Sequence, residues 1–184
     1  IAALRAALEV FTRASAPDDW AMTQTNLGVA FLISGARGDD QALRNAVDAF
    51  RATLEVRTRA SAPDDWAATQ ENLALALMML GERGDDEQAL REAVAALQAN
   101  LEVRTRASAP AAWAQTQSNI GIALLTIGRR GDDQTLREAI AAFRAAQEVF
   151  SHASAPDAWA NTTFSIAVAL RAMGQTDESR AAAQ

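Results

Sequence analysis

Residues 61–106 read SAPDDWAATQENLALALMMLGERGDDEQALREAVAALQANLEVRTR, and the chain repeats this stretch. Trp20, Trp66, Trp113 and Trp159 are spaced by 46, 47 and 46 residues, and Pro17, Pro63, Pro110 and Pro156 keep the same spacings. Each Pro stands three residues before its Trp, and the chain has no other Trp or Pro. A fixed period of this kind marks an array of small units, none able to bury its apolar face alone. Residues 1–16 match residues 140–155 at an offset of 139. The single array over 1–184 therefore opens with a partial repeat (1–16, a second helix). Full repeats follow over 17–62, 63–109 and 110–155, then a partial one over 156–184. This register, and a first residue that is Ile rather than Met, lead us to expect a piece of a longer protein.

Each unit holds two helical patterns. The first starts at Ser61, read as the cap, with Pro63 in the first turn and Asp64 and Asp65 where a helix N-terminus favours acids. Gly81 is its expected stop. In the preceding unit Trp20, Leu27 and Phe31 fall at i, i+7 and i+11, one helical stripe. Gly35 ends that helix and Asp39 or Asp40 caps the next. Its apolar residues Leu43, Ala46, Val47, Phe50 and Leu54 keep helical spacing up to Arg57, Thr58 and Arg59, cations suited to a helix C-terminus. No strand pattern occurs. The expected fold is all-α, an α-solenoid of antiparallel helix hairpins.

With 184 residues, 49% apolar and 22% charged, the composition is globular. A net charge of −6 argues against nucleic acid and anionic membrane as partners, which need concentrated positive surface. No run of 18 apolar residues and no signal peptide is found, so no membrane association and a cytoplasmic location are expected. There is no Cys, and His152 is the only His. A thiolate or multi-His metal site and a His-based triad are therefore excluded. No phosphate loop or nucleophile elbow appears. We expect no catalytic residues, no metal, no cofactor and no enzymatic activity.

The pattern resembles the tetratricopeptide repeat family, whose signature is W-x2-L-G-x2-Y, then A-x3-F, then P. Leu27-Gly28-x2-Phe31, Ala46-x3-Phe50 and Pro63 match it. So do Leu73-Ala74-x2-Leu77, Ala93-x3-Leu97 and Pro110, and then Ile120-Gly121-x2-Leu124, Ala139-x3-Phe143 and Pro156. The resemblance covers nearly the whole chain and implies a right-handed superhelix. Two insertions of about six residues each lengthen the repeat from the family's roughly 34. One lies between Gly35 and Ala46, the other between Val56 and Leu73. Each Trp also lies a turn earlier than in the family, with Gln24, Gln70 and Gln117 at the usual place. We read this as both helices lengthened at one end of the layer, the Trp packing on the tail of a second helix.

In such repeats the first helices line the concave side. The face opposite Trp20 carries Met22, Asn26, Val29 and Ile33, followed in register by Ala68, Asn72, Leu75 and Met79. The third set is Gln115, Asn119, Ile122 and Thr126, the fourth Asn161, Ser165, Val168 and Ala172. An amide side chain both donates and accepts, so Asn can pair with any peptide backbone. By resemblance to members that bind extended peptides, Asn26, Asn72 and Asn119 would form such a row, with Ser165 at its end and Val29, Leu75, Ile122 and Val168 beside it. Equally, each Asn can bond the neighbouring helix, and the apolar residues can be packing.

Arg37-Gly38-Asp39, Arg83-Gly84-Asp85 and Arg130-Gly131-Asp132 spell an adhesion tripeptide. A turn Gly followed by capping acids explains them better, and the loops lack the alternating ligands of a calcium site. Arg13, Arg59 and Arg106, with His152 in fourth place, end successive second helices; pairing with nearby acids such as Asp64 and Asp65 is expected over phosphate contact. After Gly174 a short loop, Gln175 to Glu178, is expected before a new helix. The leading functional expectation is a scaffold that binds a protein or peptide partner. The alternative is a regulatory or oligomerising segment of a larger protein, similar to arrays joined to bacterial signalling or protease-like domains, with self-association through open repeat ends.

Overall fold

Pro17, Pro63, Pro110 and Pro156 each open a helix, where the missing N–H would have had no partner. Those helices are every second element of a computed structural model, which describes the backbone of residues 1–182 and the side chains of residues 1–174. The elements are α1 (Ala2–Val10), α2 (Pro17–Ala36), α3 (Asp40–Leu54), α4 (Pro63–Gly84), α5 (Glu87–Asn100), α6 (Pro110–Gly128), α7 (Asp133–Gln147) and α8 (Pro156–Ala182). Among the described residues there is no strand. The chain is all-α.

Two compact units form, Ile1–Val103 and Arg104–Gln184. In the first, α2 pairs with α3 and α4 with α5, while α3 also packs on α4 and α1 on α2. In the second, α6 pairs with α7, and α7 also packs on α8. The same buried positions recur in each hairpin: Leu27, Leu43 and Phe50, then Leu73, Leu90 and Leu97, then Ile120, Leu136 and Phe143. Burying each such side chain contributes about 1.5–3 kcal/mol, so this seam dominates each hairpin.

The hairpin turn follows from Gly and Asp. Gly38 and Gly131 adopt φ 107°, a conformation closed to most side chains. Asp39, Asp86 and Asp132 then cap the second helices by accepting from the backbone N–H of Ala42, Ala89 and Thr135. The second repeat has one more residue in this turn than the others. It is absorbed by running α4 on to Gly84 and placing Asp85 in the left-handed region at φ 52°.

Several expected boundaries differ. Ser61 does not cap α4; the capping position is Ala62, with no side-chain bond. Ser61 lies one residue too early and instead closes the preceding turn with Thr58. The two residues exchange backbone N–H to hydroxyl bonds of 3.1 and 3.2 Å. The same clasp joins Thr12 to Ser15, Thr105 to Ser108 and Ser151 to Ser154. Second helices stop at Leu54, Asn100 and Gln147 rather than at the Arg-rich tail, because the clasped turn competes for that backbone. Only the first helix is lengthened at that end. α8 continues through Ala182 with no loop after Gly174.

Candidate functional site

Helical spacing puts Met22, Asn26, Val29 and Ile33 on one face of α2, and that face is turned to solvent. Met22 is 47% exposed, Ile33 54%, and Asn26 is exposed. Val29 is half-buried. On α4, Leu75 is 46% exposed beside a half-buried Asn72. α2 and α4 touch, so within the first unit the two Asn residues lie on neighbouring helices. In the second unit Ile122 is 36% exposed, with Asn119, Ser165 and Val168 half-buried.

The hydrogen bonds separate two roles for the Asn residues. Asn119 accepts from the Gln115 side chain one turn away at 3.1 Å. Neither Asn26 nor Asn72 bonds a neighbouring helix among the described residues. The groups that do tie the two helices of a hairpin are different ones, which the sequence reading missed. The Thr53 hydroxyl donates to the Ala21 carbonyl at 3.3 Å, and the Asn100 amide donates to the Ala67 carbonyl at 2.7 Å. Both residues are fully buried. They occupy one register position, which Ala146 fills in α7. Aligning the repeats would have exposed this polar position inside an apolar seam.

A groove of about 490 Å³ lies elsewhere, on the second-helix side of the first unit, with Val47, Leu77 and Leu80 as floor and Arg44, Arg51 and Glu92 on its rim. Arg51 pairs with Glu92 at 2.6 Å across it. A smaller groove in the second unit repeats the arrangement with Ile140, Leu170 and Met173 flanked by Arg137 and Arg144. Neither groove includes a residue of the Asn stripe.

The Arg row is likewise engaged, though not as expected. Arg13 pairs with Glu55, Arg59 with Glu102 and Arg106 with Glu148, each reaching one repeat onward. Arg59 passes over Asp64 and Asp65 because the clasped turn aims it away; Arg57 takes Asp65 at 3.2 Å. Arg106 also lies over the Trp113 ring at 5.8 Å, and the His152 ring meets Trp159 edge-on at 5.5 Å. Trp113 packs on a cluster of Ala114, Ala146 and Phe150, which spans the last turn of α7 and the turn that follows it. In the second tripeptide Arg83 is bound to the Gly35 carbonyl at 2.8 Å and to Asp40 at 3.1 Å. In the first and third the Asp is a helix cap. Among the described residues no group of three or more His, Asp or Glu is placed to hold a metal ion, and no helix is long and apolar enough to cross a membrane.

No family model, curated protein or solved structure matches the chain. The tetratricopeptide resemblance therefore stands on the residues of the repeat, and the functional reading on the exposed stripe.

Proposed function

We propose that the chain is a helical-repeat scaffold of the tetratricopeptide kind. Its hairpins stack as an α-solenoid in a right-handed superhelix, and the stripe on its first helices is the concave face that holds a peptide or helix of a protein partner. The observation that carries this reading is the pair Asn26 and Asn72. Their amides reach no neighbouring helix, yet they stand among solvent-facing Met22, Ile33 and Leu75. Polar groups that merely fix packing sit in the hairpin seam instead, at Thr53 and Asn100. Adjacent hairpins about 10 Å apart would offer one Asn for roughly every three residues of an extended ligand. The ligand backbone would take the amides and its side chains the apolar neighbours. No catalytic step enters this reading.

The test is panning of a random peptide library on the chain, followed by titration of enriched peptides. Each amide-to-backbone hydrogen bond is worth about 1 kcal/mol net. Replacing Asn26, Asn72 and Asn119 together with Ala should weaken binding roughly a hundredfold while the helical circular dichroism stays unchanged. Equal affinity for the triple variant would remove the Asn row from the account. A second reading, an assembly segment of a larger protein, is favoured by one observation: Phe164 and Leu170 on α8 are 71% and 51% exposed.

A further inference from the structure

We propose that the segment held on the first-helix stripe of the first unit is cationic, an extended peptide that alternates apolar residues with Lys or Arg. This names the chemistry of the partner and rests on the reading of the stripe as a binding face. The deciding helix is α4, an interior element with α3 packed on it and α5 paired to it. Leu75 is 46% exposed on its open face, beside half-buried Ala68, Asn72 and Met79. Asp64 and Glu82 are exposed at the two ends of that face. They stand 18 residues apart, five whole turns, so both fall in line with the stripe. On α2 the exposed Asp18 holds the same place before Met22 that Asp64 holds before Ala68.

Helix formation does not require these acids. An acid in the first turn favours a helix, yet α6 starts from Pro110 with Ala111 in place of Asp64 and no acid in its first turn. Glu82 lies in the last turn of α4, where the helix dipole favours a cation. The matching residues are Ala36 after α2 and Arg129 after α6. The cations of the first unit are turned elsewhere. α2 contains no Lys or Arg, and α4 contains only Arg83, held by the Gly35 carbonyl and Asp40. Arg13 and Arg59 form a ladder of pairs with Glu55 and Glu102, while Arg51 takes Glu92 and Arg57 takes Asp65. The stripe is therefore apolar along its middle and acidic at its margins. An extended segment sends successive side chains to opposite sides. Lys or Arg stems laid over Met22 and Ala68 carry their charged heads one turn on, to Asp18 and Asp64; those sent the other way pass Met79 towards Glu82.

The test uses three labelled peptide pools of equal length. Alternate positions are drawn from Leu, Ile, Val and Met, and the remaining positions are all Lys, all Gln or all Glu. Titrated against the chain, the Lys pool should bind about tenfold or more tighter than the Gln pool, and the Glu pool weakest. The advantage of Lys should fade as salt approaches 1 M, where the screening length is about 3 Å. Asp64→Ala combined with Glu82→Arg installs the residues that α6 carries, so the fold tolerates them. This variant should weaken the Lys pool about three- to tenfold, at up to about fivefold per lost pair, and leave the Gln pool unchanged. Glu9→Ala combined with Asp48→Arg makes the same change in net charge at exposed residues off the stripe, and should shift the Lys pool less than about twofold. A Lys preference that survives the first variant, or falls equally in the second, would overturn the proposal. Equal binding of all three pools, weakened alike by the triple Asn variant, would overturn the cationic partner and leave the stripe reading standing. Absence of binding by every pool would remove both.

Discussion

The close approach of Gly28 to Phe50 sets a test at the scale of single residues. Ala gains about 1 kcal/mol over Gly in helix propensity, while forcing a methyl into a packed seam costs about 1–3 kcal/mol. Gly28→Ala should therefore lower stability by roughly 1 kcal/mol by urea unfolding. In a Phe50→Leu background the same change should become stabilising, because Ala74 and Leu97 already show that pairing to fit. The absence of a sign change would contradict a steric limit set by the Phe50 ring, which a Cβ on Gly28 would approach to 2.6 Å. Asn100 sets a second test. Its amide bonds Ala67, but its carbonyl oxygen is buried with no hydrogen-bond partner, and such an orphan costs about 1–3 kcal/mol. Asn100→Thr, the choice made at Thr53, should raise stability by about 1 kcal/mol; a loss would show that the oxygen is satisfied. The Gly–Phe and Ala–Leu pairs are legible in aligned repeats. The orphan oxygen is not, because it depends on where two helices cross.

Helix starts were legible because Pro and Asp act locally: Pro fixes φ, and an Asp carboxylate reaches the N–H three residues on. Helix ends were misjudged because the Thr58–Ser61 clasp and its three counterparts also act locally, but on residues whose charges read as a helical tail. Among the caps, Asp39→Ala should cost about 0.5–2 kcal/mol by losing its bond to Ala42, measured by thermal unfolding. The ladder is weaker. Arg59 and Glu102 are both more than half exposed, so Arg59→Ala should cost no more than about 1 kcal/mol. That cost should fade as salt approaches 1 M, where the screening length shrinks to about 3 Å. A salt-independent loss would point instead to packing of the Arg stem. The ladder went unseen because its partners lie more than forty residues apart, a separation meaningful only once repeats are placed side by side.

For the molecule as a whole, the period announced helix hairpins because units of this length cannot hide their own apolar faces. The all-α architecture follows from that period together with the helical spacing of the apolar residues inside each unit. Which surface meets a partner was less accessible to sequence. Helical spacing sets exposed Leu75 and buried Leu77 on opposite faces of α4, but which face is covered is decided by the hairpin crossing. The same holds for the Asn residues: Asn72 and Asn100 read alike, but one faces outward and the other is sealed in the seam. The most direct test is the footprint of an enriched peptide by amide hydrogen exchange. The account predicts slowed exchange along the first helices, over residues 22–33 and 68–79, with the second-helix groove around Arg44, Arg51 and Glu92 unchanged. Protection confined to that groove, with the first helices unaffected, would contradict it.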